Sequence, residues 1–161
     1  MNAFKLTAIV FLTLATAARA QDAQKALDRF KSMAGEWQGK DAKGSPVEES
    51  YQITAGGTAV MSENKIAGEE MLSLFYLDGD RLLMTHFCPS GNQPRMKASV
   101  ASDGKSVVFD FLDATNLPDM QTGHMSAAAY TFIDSAQYTE EWTWSKGGKS
   151  TVFHLEMQRK K

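Results

Sequence analysis

The sequence of 161 residues contains one cysteine, Cys88, so no internal disulfide can form and the fold must be held by its core alone. It carries no excess of basic charge: 17 Lys and Arg stand against 19 Asp and Glu, and the only basic cluster is the terminal Arg159-Lys160-Lys161. Nucleic acid is therefore not an expected partner. The apolar stretch from Leu6 to about Ala15 is too short to span a bilayer, and no second such segment follows, so no membrane span is expected. The three histidines are scattered, and zinc or iron ligand spacing is missing. Also missing are the Gly-x-Ser-x-Gly elbow, the His-Glu-x-x-His helix, the phosphate loop and the dinucleotide fingerprint. There is no internal repeat, low-complexity tract or linker that would split the chain.

What is present begins with a leader. Met1-Asn2-Ala3-Phe4-Lys5, the apolar stretch and the small-x-small Ala18-Arg19-Ala20 read as a signal peptide over residues 1–20, with Gln21 as the expected mature N-terminus. A periplasmic or secreted product follows. Loss of Lys5 and Arg19 would take the formal charge from −2 to −4. Residues 21–161 are then expected to form a single domain. Ala23, Ala26, Leu27, Phe30 and Met33 recur at helical spacing until Gly35 stops the pattern.

After Trp37 the period changes to that of strands, broken by Ala55-Gly56-Gly57, Asp78-Gly79-Asp80, Ser102-Asp103-Gly104 and Lys146-Gly147-Gly148. The pattern predicts about ten strands, near 36–41, 47–55, 58–63, 69–77, 81–88, 94–101, 105–112, 123–133, 137–145 and 149–158. No helical segment lies between them, which excludes βαβ units and leaves an all-β, antiparallel, up-and-down barrel with one N-terminal helix. In such a meander the tight turns at Gly56-Gly57, Asp78-Gly79, Asp103-Gly104 and Asp134-Ser135 share a closed end. The longer pieces, Asp41 to Ser45, Pro89 to Gln93 and Ala114 to Thr122, frame a mouth.

The helix followed by Gly35-Glu36-Trp37 resembles the lipocalin and calycin signature. That resemblance implies that Trp37 plugs the closed end with a basic side chain stacked over it, here Arg159 at the end of the last strand. The fuller Gly35-Glu36-Trp37-Gln38-Gly39 and the strand count look more like the nitrobindin branch than the eight-stranded lipocalins. The segment from Phe75 to Cys88, with Asn92-Gln93-Pro94-Arg95-Met96 after it, resembles an exported bacterial family of unknown function with this architecture. That likeness implies a fold and a compartment, but no activity. In nitrobindins a histidine near the C-terminus ligates haem iron, and His154 in Phe153-His154-Leu155 sits at a comparable place.

Strand alternation weighs these candidates. Phe153, Leu155 and Met157 share the more apolar face of the last strand, which puts His154 on the outside unless a bulge reverses the register. Met84, His86 and Cys88 share one face of the fifth strand, with Met96 across the loop; such soft ligands would suit Cu(I), although Met is also a common core filler. Arg95, after Pro94, could pair a ligand carboxylate or phosphate at the mouth, or it could pair Asp113. Tyr138, Trp142 and Trp144 share a face with Glu140 and could wall a pocket. Cys88 with His86 has no orienting third group, and Asp78 and Asp80 belong to a turn, so no catalytic residue is assigned.

The reading is a barrel that binds a small hydrophobic molecule without a cofactor, at His86, Asn92, Arg95, Trp142 and Trp144. Gly35, Trp37 and Arg159 are its structural signature. Two readings stay open beside it: a haem or copper protein using His154, or Met84, His86 and Cys88, and a non-catalytic barrel acting through its surface on an envelope partner.

Overall fold

The computed structural model describes residues 20–101 and 104–161. The expected leader, except Ala20, and the Ser102-Asp103 part of one expected turn lie outside the described residues. A helix, α1, covers residues 20–32. The strands are β1 (Gly35–Asp41), β2 (Pro46–Thr54), β3 (Ala59–Ile66), β4 (Glu69–Asp78), β5 (Arg81–Phe87), β6 (Gln93–Val100), β7 (Ser106–Thr115), β8 (His124–Phe132), β9 (Gln137–Lys146) and β10 (Lys149–Arg159). Each pairs antiparallel with the next, and β10 pairs with β1, so the sheet closes into the expected up-and-down barrel.

Closure depends on a glycine. Gly39 faces Met157 across the β1–β10 seam, and a Cβ there would strike the Glu156 carbonyl and the Met157 sulfur. The short, glycine-containing first strand is what lets the seam approach closely enough to pair.

Helix α1 fills one end. Its buried positions are Ala23, Ala26, Leu27 and Phe30, with Met33 just beyond. Phe30 lies at the centre of an aromatic cluster: its ring stacks on Phe75 at 4.2 Å and meets Tyr130 and Phe132 edge-on at 5.1 and 5.7 Å. Arg29 lies over Phe132 at 4.7 Å.

The C-terminal end of α1 is tied to the barrel through its carbonyls, which have no partners within the helix. Trp37 Nε1 donates to the Met33 carbonyl at 2.8 Å. The Arg159 guanidinium donates to the carbonyls of Ala34 at 2.8 Å, Ser32 at 2.9 Å and Ser135 at 3.2 Å, and it stacks over Trp37 at 4.3 Å. Gly35, at φ +124°, makes the sharp exit from helix to strand in a conformation that side chains rarely adopt. Gly35, Trp37 and Arg159 thus form one joint.

Two strands run three residues further than the sequence pattern predicts. β3 continues past residue 63 through Asn64, Lys65 and Ile66 because the turn is the two-residue Ala67-Gly68, with φ of 52° and 88°. Both central residues of this tight hairpin have positive φ, and an alanine gives no sequence signal for that. β7 extends to Thr115 because Arg95 and Asp113 pair across a register shift between Arg95 and Met96. The loop at that end is correspondingly shorter than the expected 114–122.

Phe30→Ala is expected to cost about 3–5 kcal/mol, the range for emptying a buried aromatic site. Gly39→Ala is expected to cost roughly 1–3 kcal/mol through overpacking at the seam. Urea unfolding followed by tryptophan fluorescence checks both, and a Gly39→Ala midpoint equal to wild type would refute the seam argument.

Candidate functional site

Strand alternation sends every second side chain into the barrel, and on this lumen face the sequence places polar residues where filler is expected. Glu49 on β2, Ser62 and Asn64 on β3, Ser73 on β4, His86 on β5 and Glu140 on β9 are all buried; Glu140 is 0% and Glu49 2% exposed.

The two glutamates sit together in mid-barrel. Glu49 accepts from Ser62 Oγ at 2.6 Å and from Tyr138 Oη at 2.6 Å. Glu140 accepts from Trp142 Nε1 at 2.6 Å and from Tyr51 Oη at 3.2 Å. Burial, followed by the nearby charge of Glu49 and a side-chain hydrogen bond with it, holds the Glu140 carboxyl well above the ordinary glutamate range. That shift favours the protonated form of Glu140 beside Glu49. Two like carboxyls this deep repel when both are ionised, which is the second cause of the shift at Glu140.

Trp142 links this pair to an open cavity at the barrel end opposite α1. Its indole N–H is held by Glu140, and its ring lies 4.6 Å from the His86 ring. The cavity measures about 400 Å³ and is walled by Ile66, Met71, Met125, Trp142, Phe153 and Leu155, with Asn64 and His86 among them. Its volume falls within the range of small-molecule sites, roughly 300–1,000 Å³. Phe153 has the inward register, opposite Trp142, yet is 46% exposed. An inward aromatic stays that exposed only where the lumen opens.

Two polar atoms at this cavity have no partner: Asn64 Oδ1 and His86 Nε2. The other ring nitrogen of His86, Nδ1, is 2.9 Å from Ser73 Oγ, which fixes the ring. Burial pushes the His86 imidazole down to about 4, so it is neutral at pH 7. Buried polar atoms are nearly always satisfied, and two orphans lining one apolar cavity mark it as a place for something else to bind.

The sequence-derived candidates divide. His86 and Trp142 face the cavity. Trp144 follows on the same face of β9, with its ring packed against Gly123. Asn92 is buried beside the lumen wall, where its amide donates to the Gly123 carbonyl at 2.8 Å and its oxygen accepts from Ser90, so it acts as a strut for a loop. Arg95 points outward and pairs with Asp113 through both carboxylate oxygens, at 2.6 and 2.5 Å. That pairing holds Asp113 below the usual carboxylate range, and the guanidinium does not reach the lumen.

Nor do the alternative metal ligands converge. Met84 is packed in the apolar core opposite Met96, and the Cys88 thiol, beyond the end of β5, is 2.8 Å from Ser90 Oγ. His154 is on the outer face, 3.6 Å from Glu141 and 4.0 Å from Glu156. That register does not fit an interior haem ligated by His154. Among the described residues no three His, Cys, Asp or Glu side chains form a metal-ligating group.

Sequence reasoning passed over Asn64, Ser73, Ser62 and Glu49, and it left Glu140 as a neighbour of aromatics. The available signal was the alternation itself: Val47-x-Glu49-x-Tyr51, Val60-x-Ser62-x-Asn64-x-Ile66 and Met71-x-Ser73-x-Phe75 each insert polar residues into an apolar series.

No family model matches the sequence, and no curated protein matches it. Among solved structures the fold is similar to that of Rv2717c from M. tuberculosis, with a TM-score of 0.62 and 10% identity over 84% of this chain and 98% of that one. It is also similar to a protein of unknown function of the DUF3598 family from Nostoc punctiforme PCC 73102, with a TM-score of 0.57 and 12% identity over 81% of this chain and 49% of that one. At these identities the likeness is one of fold. It is consistent with a calycin-like barrel and does not single out the nitrobindin branch.

Two of the buried titratable groups, His86 and Glu140, give pH dependences of opposite sign. His86 falls from 6.5 to about 4 on folding, so between those values only the unfolded chain binds the proton and stability drops on acidification. This amounts to roughly 2 kcal/mol between pH 7 and pH 5. Glu140 is raised, so its contribution is complete below its ordinary value of 4.5 and is lost as pH climbs through the folded value. Urea titrations at several pH values should therefore show a shallower acid-side slope for His86→Gln and a shallower alkaline-side decline for Glu140→Gln. Slopes identical to wild type would refute the assignments.

Proposed function

We propose that this chain is an exported barrel that binds a small, mostly apolar molecule in the cavity at the end opposite α1, and that it acts by binding. The observation that carries the reading is the pairing of an apolar cavity of about 400 Å³ with two unpartnered buried polar atoms, Asn64 Oδ1 and His86 Nε2. Pockets of this kind take their affinity from apolar walls and their selectivity from a few fixed polar groups. Export is supported by the signal-peptide pattern of residues 1–20.

A catalytic reading has less support. The strongest acid–base group, the Glu49–Glu140 pair, is covered by Trp142 and spends its oxygens on Ser62, Tyr138, Tyr51 and Trp142. General acid–base work requires reach to a substrate proton.

The neutral fluorophore N-phenyl-1-naphthylamine is expected to brighten on entering the cavity of the purified protein. Met125→Trp, which fills the cavity, is expected to weaken that response at least tenfold while leaving the unfolding midpoint near wild type. Native mass spectrometry of protein isolated from its own compartment is expected to show an added organic mass. A bare polypeptide that also leaves the fluorophore dark would overturn the proposal.

A further inference from the structure

The cavity has polarity as well as shape, and its polarity restricts the head group it can hold. Asn64 is 8% exposed and His86 is 2% exposed, and each presents one unsatisfied atom. Asn64 Oδ1 can only accept, so whatever satisfies it must bring an N–H or O–H. Ser73 Oγ and His86 Nδ1 are 2.9 Å apart, and the tautomer in which the hydroxyl donates to Nδ1 leaves the proton on Nε2, a donor at the same cavity as that acceptor. A hydroxyl matches both, donating to Asn64 and accepting from His86, and its carbon skeleton lies along Trp142, Met71, Met125 and Leu155.

Charge decides the rest. No lysine or arginine stands inside the described lumen at this depth. His86 is neutral, and the cavity's own cation, Lys43, is exposed on the β1–β2 connection. Behind Trp142 lies the Glu49–Glu140 pair, two buried carboxyl groups reached through the indole N–H. Asp41 and Glu69 add acidic groups at the cavity's edge. A carboxylate head seated at Asn64 and His86 would lose its hydration with Lys43 left at the exposed rim, and it would lie among acidic side chains, each an unfavourable contribution.

Resting on the binding role proposed above, we infer that the ligand is an uncharged alcohol or phenol whose hydroxyl bridges Asn64 Oδ1 and His86 Nε2, and that the site selects against carboxylates such as fatty-acid anions. Specificity of this kind arises because a ligand lacking the hydroxyl leaves the buried Asn64 oxygen unpaired.

Three probes of nearly one shape test this: 2-naphthol, 2-methoxynaphthalene and 2-naphthoate, each titrated calorimetrically at pH 7 into the full mature chain. The expected order is naphthol tightest, the methyl ether weaker by about tenfold, as for loss of one buried hydrogen bond, and the naphthoate weakest. Asn64→Leu is expected to bring naphthol and its ether to within about twofold while both still bind. His86→Gln, with a different shape, provides a second variant and should narrow the same gap. Equal affinities for the ether and the alcohol in wild type, or tightest binding of the naphthoate, would overturn the hydroxyl assignment and leave the binding role intact. Failure of all three probes, together with a dark N-phenyl-1-naphthylamine response, would overturn the binding role itself and this inference with it.

Discussion

A buried carboxyl pair, Glu49 from β2 and Glu140 from β9, divides the interior of this barrel into a filled half and an open half. Below it, towards α1, the lumen is packed by Phe30, Phe75, Phe109, Tyr130 and Phe132. Above it, Trp142 is held by its indole N–H to Glu140 and forms the floor of a cavity. Burying two carboxyl groups is costly unless their oxygens are satisfied by hydrogen bonds. Here Ser62, Tyr138, Tyr51 and Trp142 each supply one donor, one to each of the four oxygens. Because the donors come from β2, β3 and β9, the network ties opposite walls of the barrel together, and it fixes Trp142 in one orientation.

The filled half has its own tether. Helix α1 would otherwise end with bare carbonyls near an apolar cluster, an unfavourable arrangement. Trp37 and Arg159 supply the missing donors, and Gly35 supplies the turn that brings them into reach. The helix is thereby a plug rather than a lid: Phe30 is fully enclosed by four rings. Access to the lumen is left to the opposite end, where Phe153 stays partly exposed.

Neutrality ties the two halves to the proposed role. The imidazole of His86 is depleted of charge by burial, and burial with the proximity of Glu49 raises the Glu140 carboxyl and favours its neutral form. The cavity's depth therefore offers hydrogen-bonding atoms, while its one lysine, Lys43, stays at the exposed rim. An arginine at the mouth would have changed that chemistry, yet Arg95 lies on the outer face, locked to Asp113. Strand parity places it there: Arg95 is opposite Thr85 and Asp113, while Met96, one residue on, faces Met84 inside.

Much of the architecture could be read from residues alone. Alternating apolar positions and glycine-bearing turns located all ten strands to within a few residues, and helical spacing marked the inward face of α1, because both periods are local consequences of backbone geometry. His86 and Trp142 were legible as inward candidates for the same reason. Asn64 was not, since the Ala67-Gly68 turn that keeps it in a strand has only one residue that signals positive φ. What the sequence by itself determined was the sequence of elements and the face each side chain takes. Only the tertiary structure decided that Gly39 permits closure, that Glu49 meets Glu140 across the lumen, and that Asn64 and His86 are left with atoms unpaired at one cavity. These are relations between strands distant in the chain, and no local period encodes which inward residue on one wall will stand opposite which on the other.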